Sequence, residues 1–592
     1  MVHQNMGENQ MTEKHTKLLK YLMEIRDESV EATKYSRAEG ARVREYKRGN
    51  QLPDDVIAKV QGRGQPLRWE NIIAESDTSL GGIMQMGKIK IKVNSRTNAK
   101  TEGALVREKV HMSTMDSTSW WDAKAVMDED LRLDGLAAVV PRIASLDETD
   151  ARGMPLWDME DERIPAQECL IDMFSRKSDY SDARYFSYTR LFDKRVLLRK
   201  FPKKKDDIER CTENNREMMR LYVTWYYDDA GEIRIAIWND EVILEDKPQV
   251  YTKVGNRFAI AVRRLNYTPG LEYYGQYRNV LPLQDEVNFA MLRILNMMGS
   301  IKLVIEASAV DDVEEFKAEF SQDNAVCTVN DGALSTKRFQ VIDSSQNISQ
   351  LIAIADRATA KAYKIMGISP EMMGQSSVRQ SGVALQMKQN AGLVGFQSLI
   401  GASHNMHKDI FFLHSGMMAQ FYNAETVFAI TGKGEEKEYF YVNEYERDSS
   451  GAIVYKDGKE QRKNILDAGR YDYTIVEIPW NDGSPDAKMK SWGEITKSLD
   501  PKYLPAAIPV IMRDMGSAQS EEMLEVIKRV DEAEAEAQQN AQNQGNAPEM
   551  EQLQLEMATM NAKMEEMLSK ANLNNAKAED IKNGGKEFES NR

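Results

Sequence analysis

Apolar positions recur at helical spacing along two stretches in the middle of the chain, and the rest of the sequence is organised around them. In residues 282–299, Leu283, Val287, Ala290 or Met291, Ile294 and Met298 share one side of a predicted helix. Pro282 stands at its opening, where a missing N–H costs nothing, and Gly299 lies just past its end. In residues 347–366 the side is Leu351, Ala355, Ala358, Ala362 and Ile365, and Gly367 stops the run. Between the two helices, residues 302–305 and 324–329 predict strands that turn at Asn330-Asp331-Gly332. After Gly367, Ser369-Pro370-Glu371 offers an N-cap and a first-turn proline, and Gly374 breaks that short helix. A small polar run with one cation follows, Gln375-Ser376-Ser377-Val378-Arg379-Gln380. Ser381 then caps a third helix, predicted to about Phe421.

Outside this centre the pattern changes repeatedly between helical and strand periods. Residues 1–12 read as disordered. Leu18, Leu22 and Ile25 open an amphipathic helix whose charged remainder reaches about Lys47. Residues 50–66 are turn-rich. Residues 88–93 (Lys-Ile-Lys-Ile-Lys-Val) alternate strictly, which predicts a half-buried strand with three lysines on one face. Residues 117–142 read as a helix carrying Trp120, Trp121, Ala125, Leu131 and Leu136, and residues 165–201 as short strands with a helix. Residues 221–227 and 233–238 form a hairpin about Asp229-Ala230-Gly231, with residues 242–244 as a candidate third strand. A second β region comprises residues 439–445, 452–456 and 471–478. Residues 485–530 read as helical, and residues 532–548 are polar and of low complexity. Beyond them Met550, Leu553, Met557, Met560, Met564 and Met567 are spaced three, four, three, four, three, a short heptad seam suited to self-association.

Charge narrows the function. The net charge is −15 over 592 residues, whereas a protein that grips DNA by its phosphates is usually basic. Contact with nucleic acid is therefore expected to be loose, which suits a conduit better than a clamp. Three separated cysteines (Cys169, Cys211, Cys327) predict neither a disulfide framework nor a zinc knuckle. No apolar run reaches membrane-spanning length, and the polar start predicts no signal peptide.

Chemistry is hard to find. The chain has no Gly-x-x-x-x-Gly-Lys-Ser/Thr cradle, no Gly-x-Ser-x-Gly elbow and no His-Glu-x-x-His pair. Gly432-Lys433-Gly434 precedes a strand and reads as a turn. His404 and His407, with Asp409 and His414 nearby, are the nearest approach to a metal set, yet no carboxylate shares their face. We expect no catalysis, no cofactor and no metal.

The order helix, small β insert, helix, break and long helix resembles the core of tailed-phage portal proteins. Arg63-Gly64-Gln65-Pro66-Leu67-Arg68-Trp69-Glu70-Asn71 with Gly81-Gly82, Asp179-Tyr180-Ser181-Asp182-Ala183-Arg184, and Gln380-Ser381-Gly382-Val383-Ala384-Leu385-Gln386 look like signatures of portals from short-tailed phages. The resemblance covers roughly residues 15–530. It implies an α+β, portal-type subunit: wing (13–280), stem helix (281–299), clip (300–346), second stem helix (347–366) and tunnel loop (367–381). A long helix with the rest of the wing (382–484), a crown (485–531), a linker (532–548) and a C-terminal coiled-coil or barrel helix (549–592) would follow. Stem packing would fall to Val287, Met291, Ile294, Met298, Leu351, Ala355 and Ala358, and the channel loop to Gln375, Ser376, Ser377, Arg379 and Gln380.

The resemblance further implies a homo-oligomeric ring, twelvefold in the family, at one capsid vertex of the virion, assembled in the host cytoplasm. Double-stranded DNA would pass through it without sequence specificity. Its partners would be the terminase large subunit, which carries the motor, the major capsid and scaffolding proteins, and head–tail adaptor or tail proteins, with no membrane. The alternatives are another coiled-coil-bearing virion structural or scaffolding protein, or an enzyme of the packaging apparatus.

Overall fold

The computed structural model describes residues 2–61, 70–86, 88–95, 101–117, 120–149, 153–211, 217–298, 302–320, 326–336, 338–342, 345–368, 395–423, 426–431, 437–448, 453–456, 459–466 and 471–478. Helices and strands are mixed throughout, an α+β chain. In chain order the first elements are α1 (Val2–Ala32), α2 (Lys34–Lys47), α3 (Asp54–Gln61), α4 (Ile72–Met86), β1 (Lys88–Ser95), α5 (Thr101–Ser117) and α6 (Trp120–Leu133). Next come β2 (Leu136–Thr149), β3 (Pro155–Ile164), β4 (Cys169–Ile171), β5 (Tyr185–Asp193), α7 (Lys194–Lys200) and α8 (Lys205–Arg210). Then follow β6 (Met218–Tyr227), β7 (Ile233–Trp238), β8 (Ile243–Pro248), β9 (Ala261–Arg264), β10 (Asn266–Tyr267) and β11 (Tyr273–Tyr274). The centre holds α9 (Leu281–Met298), β12 (Lys302–Ile305), α10 (Val313–Phe320), β13 (Phe339–Ile342), α11 (Ser345–Met366) and α12 (Gln397–Phe421). Last are β14 (Thr426–Thr431), β15 (Lys437–Val442), β16 (Glu444–Tyr445), β17 (Tyr455–Lys456), β18 (Lys459–Glu460), β19 (Arg462–Lys463) and β20 (Tyr471–Ile478).

The chain forms two compact units. The first comprises the described residues of 1–84, 122–142 and 161–413. Its antiparallel sheet has the order β4-β5-β6-β7-β8. Tyr185 pairs with Tyr226 and Asp193 with Met218, and Tyr222 pairs with Trp238 across the hairpin. Because side chains alternate along a strand, neighbours such as Tyr185 and Phe186 enter different cores. Phe186, Tyr188, Val223 and Trp225 pack with Ala138, Phe258 and Val262. Tyr185, Tyr226, Ala236 and Trp238 pack with Leu22 and Ile25 of α1. A sheet covered on both sides must satisfy its interior polar groups. Thr224 Oγ1 does so, lying 2.7 Å from Ser187 Oγ and accepting from Trp238 Nε1 at 2.8 Å.

The second unit comprises the described residues of 85–121, 143–160 and 414–592. Its frame is β1 against β20, antiparallel from Lys88↔Ile478 to Ser95↔Tyr471, with α5 packed on β1 and β14. Ile91 and Val93 are buried while Lys92 is exposed, the alternation expected of this strand. Arg107 stacks over the Tyr471 ring at 4.0 Å, and His111 meets Tyr473 edge-on and stacks near His414.

Several expectations need correction. Residues 2–12, expected to be disordered, continue α1, extending a helix that is already fixed where Leu18 and Leu22 pack, since propagation costs far less than nucleation. The turn-rich stretch 50–66 contains α3, which starts after Pro53 with Asp54 and Asp55 in its first turn. The helix expected to reach residue 142 ends at Leu133, and Leu136 begins a strand. Gly135 makes that break at φ +81°, where a Cβ would lie 2.1 Å from the Tyr274 carbonyl. Residues 326–330 are not a strand. The partner of β12 is β13, in register from Lys302↔Ile342 to Ile305↔Phe339, and the Asn330 N–H donates instead to the Ala309 carbonyl at 3.0 Å. The third central helix is described from Gln397, after a turn at residues 395–396.

Candidate functional site

The two central helices pack against each other. On α9, Val287, Ala290 and Ile294 are buried; on α11, Ala355, Ala358, Ala362 and Met366 are, and all of these but Ile294 share one apolar cluster with Leu283 and Phe396. Met291 and Leu351 border it half-buried. Alanines at three- and four-residue spacing keep one face of α11 shallow, so that the larger residues of α9 can reach its backbone. Gly367, at φ +68°, ends α11 with its N–H donating to the Lys364 carbonyl at 3.2 Å. The opposite stripe of α9 is exposed along Glu286, Phe289 and Arg293, with Phe289 70% accessible. On α11, Ile352, Ile354 and Ile365 are also exposed.

A polar lattice ties this helix pair to the helices upstream. Gln284 is fully buried; its Oε1 accepts from the Ile72 N–H at 2.8 Å and its Nε2 donates to the Glu70 carbonyl at 2.8 Å. Asp285 accepts from Arg42 at 2.6 Å and from the Tyr46 hydroxyl at 2.7 Å. Asp77 of α4 is buried between Arg132 Nε at 2.8 Å, Lys47 Nζ at 2.7 Å and the Tyr277 hydroxyl at 3.1 Å. Burial pushes the Asp77 carboxyl up, but the hydrogen bonds and charges of Arg132 and Lys47 outweigh it and hold the group below the ordinary aspartate range. Asp130 goes the other way. Its burial is more complete, and raises it despite Arg163 and Arg44.

The insert between the helices is small, acidic and apolar at its surface. Asp312 caps α10 by accepting from the Glu314 N–H at 2.8 Å, and Phe316 stacks on Phe320 with centroids 5.8 Å apart. Asp311, Asp312, Glu314, Glu315 and Asp331 are exposed beside Val304, Val313, Leu334 and Val326, the last 89% accessible.

Two comparisons decide the family. The chain matches the family described as "Phage P22-like portal protein" over residues 23–231 and 227–567. A portal protein of Helicobacter pylori bacteriophage KHP30 is 26% identical over 540 residues, covering 89% of this chain and 84% of the relative. The chain belongs to the P22-like phage portal protein family. This is a family of structural proteins, not known as enzymes.

The portal signatures noted in the sequence can now be placed. In Asp179–Arg184 of this portal chain, Asp182 accepts from Ser175 Oγ at 2.6 Å and the Arg176 N–H at 2.9 Å, while Tyr180 sits at φ 51°. Arg184 pairs with Asp172 and Glu28, so the motif is a turn that fastens β5 to α1. Of the upstream signature, Asn71 caps α4, accepting from the Ala74 N–H at 2.9 Å. Gly81 leaves room for Arg132, whose Nη2 would stand 3.1 Å from a Cβ there. Arg63 to Trp69, the tunnel-loop residues Gln375, Ser376, Ser377, Arg379 and Gln380, the motif from Gln380 to Gln386, and Met550, Leu553, Met557, Met560, Met564 and Met567 lie outside the described residues; so does the side chain of Met298.

Of the histidines noted in the sequence, His407 and His414 are buried and His404 is half-buried. His407 is completely buried, which lowers it to about 3 and keeps it neutral. Among the described residues no group of three His, Cys, Asp or Glu side chains could hold a metal ion, and no helix is long and apolar enough to cross a membrane. The polar lattice around Asp77 escaped the sequence reading. Its charges are spread over residues 42–285, and nothing in their local spacing links them.

Proposed function

We propose that the chain is the portal of a phage head: a ring, twelvefold in the family, at one capsid vertex. Through its axial channel the genome would enter and later leave. The family match across most of the chain carries this reading. The arrangement α9, insert, α11 supports the finer assignment of a stem made by the helix pair and a clip made by residues 300–346. An acidic, apolar clip suits a basic-rimmed docking partner, terminase during packaging and a tail adaptor or tail protein afterwards. Capsid and scaffolding proteins would surround the wing during assembly in the host cytoplasm. The segment 367–381, with Gln375, Ser376, Ser377, Arg379 and Gln380, is assigned to the channel, where hydroxyls and amides meet phosphates without holding them. The seam from Met550 to Met567 is assigned to self-association above the ring. A net charge of −15 on each copy lets double-stranded DNA slide without sequence preference.

The test is mass measurement and negative-stain microscopy of the purified assembly. Rings with a central hole and a mass near twelve times 67.4 kDa are expected. Rods or dispersed oligomers would support the alternative, a scaffolding or other coiled-coil structural protein.

A further inference from the structure

One surface runs against the charge of the whole chain. From Lys194 to Lys205, seven of twelve residues are cationic (Lys194, Arg195, Arg199, Lys200, Lys203, Lys204, Lys205) and none is acidic, in a protein of net charge −15. These residues form α7, the turn at Pro202 and the start of α8, at the end of the five-stranded sheet.

The cations stand on a built platform. Asp193 caps α7, accepting from the Arg195 N–H at 2.6 Å. Leu197 and Ile208 are buried with Met219, Leu221 and Leu244, and Leu198 and Phe201 pack beside them. One side of the helix pair is thereby fixed to the sheet, and Arg195, Arg199, Lys200 and Lys203 are left on the exposed side. Nearby carboxylates satisfy part of the charge. Glu217 pairs with Arg195 at 3.3 Å, Asp207 with Lys204 at 3.4 Å and with Arg210 at 3.1 Å, and Glu209 with Lys205 at 3.9 Å. Among the described residues, Lys194, Arg199, Lys200 and Lys203 have no carboxylate within 4.0 Å.

We infer that this platform binds the phosphate backbone of duplex DNA on the outer surface of the assembly, without reading sequence. The inference rests on the portal reading, which supplies the DNA. Two features favour phosphate over an acidic protein. Four cations without a carboxylate within 4.0 Å among the described residues suit phosphate, whose binding is driven by counterion release and needs no directional partner. Val196 is the one exposed large apolar residue among them, whereas a protein interface has an apolar centre.

Covalently closed circular DNA cannot thread a channel, so it probes outer surfaces alone. Binding of assembled rings to closed circles is measured by fluorescence anisotropy between 50 and 200 mM salt. Four phosphate contacts predict a slope of log K against log salt near −3.6, a loss of about 10²-fold across that range. The variant Lys194→Gln/Arg199→Gln/Lys200→Gln/Lys203→Gln should form assemblies of the same mass, bind circles at least tenfold more weakly at 50 mM and lose most of the slope. Equal affinity and slope in the variant, or no binding of circles by wild-type rings, overturns the inference while rings with a hole leave the portal reading standing. Capture of an acidic polyglutamate peptide but not DNA would overturn it in favour of a protein dock. Absence of rings would instead count against the portal reading.

Discussion

Replacing Asp77 by Asn keeps the shape of the side chain and removes its charge from the centre of the polar lattice. Arg132 is then stranded. Its side chain is 5% exposed, and Asp77 is the carboxylate it pairs with, whereas Lys47 keeps Glu129 at 2.5 Å. A unit charge pair at such range is worth roughly 4 kcal/mol at an effective dielectric of 20. Breaking one partner of a buried pair costs about 3–5 kcal/mol, because the other remains desolvated and uncompensated. Asp77→Asn should therefore destabilise the first unit by about that amount at neutral pH. Replacing the pair together (Asp77→Asn with Arg132→Met) should cost less than the two single changes added, since no charge is then left buried.

The pH dependence follows from the sign of the shift. The folded carboxyl lies below its ordinary value, so its contribution is complete above about pH 4 and disappears as the pH falls through the folded value. Wild type and Asp77→Asn should thus differ by a constant amount near neutrality and converge in acid. Hydrogen exchange at the amides of α4 and α6 reads the local opening free energy directly. A variant within about 0.5 kcal/mol of wild type, or a double variant no better than the sum of the singles, would refute the reasoning.

Two other perturbations test the helix pair and the buried histidine. Ile294→Asp places a charge at a position that is 7% exposed, on a helix that packs against α11. It should cost about 3 kcal/mol or more and abolish normal-sized assemblies, whereas intact rings by sizing chromatography would show that the site tolerates water. His407 is held neutral to about 3, against 6.5 in an unfolded chain. It therefore contributes stability above pH 6.5 that is lost as the pH falls toward 3, and His407→Gln should flatten the acid limb of the stability profile by up to about 1.4 kcal/mol per pH unit.

What could be read in advance follows a physical division. Periodic patterns with their own stop signals were legible: α11 ends at Gly367, φ +68°, and the β6–β7 hairpin turns at Gly231, φ +79°. What depends on distant partners was not. Leu136 to Val140 is apolar enough for helix or strand, and the strand is chosen by β9, which pairs Leu136 with Arg264. α4 carries Gly81 and Gly82, which lower its intrinsic helix propensity; its packing on Leu133, Tyr277 and Val287 offsets that. The strand expected at residues 324–329 had suitable composition, yet β12 paired with β13 instead. The basic platform was visible as seven cations in twelve residues, but only the burial of Leu197 and Ile208 shows that they share a fixed surface.

The second unit depends on a contact of very long sequence separation, and this makes a sharp prediction about the C-terminal region. β1, near residue 90, has β20 as its one described partner, so Lys88–Ser95 and Tyr471–Ile478 must meet before either strand is hydrogen-bonded. A two-stranded ladder is marginal by itself, and this one is held by α5 packing on β1, where Ile91 and Val93 are buried. Deleting residues 471–592 removes β20 and the Tyr471 ring over which Arg107 stacks. β1 is then left with the packing of Ile91 and Val93 and an unpaired edge, an arrangement prone to aggregate. Deleting only residues 549–592 leaves the ladder whole and removes the heptad seam. The longer deletion should expose residues 88–95 to limited proteolysis and lower solubility, and the shorter should leave protection and assembly mass as in the full chain. Equal protection of residues 88–95 in both truncations would show that β20 does not hold β1. Monomers from the shorter deletion would make the C-terminal seam, rather than the stem, the element that builds the ring.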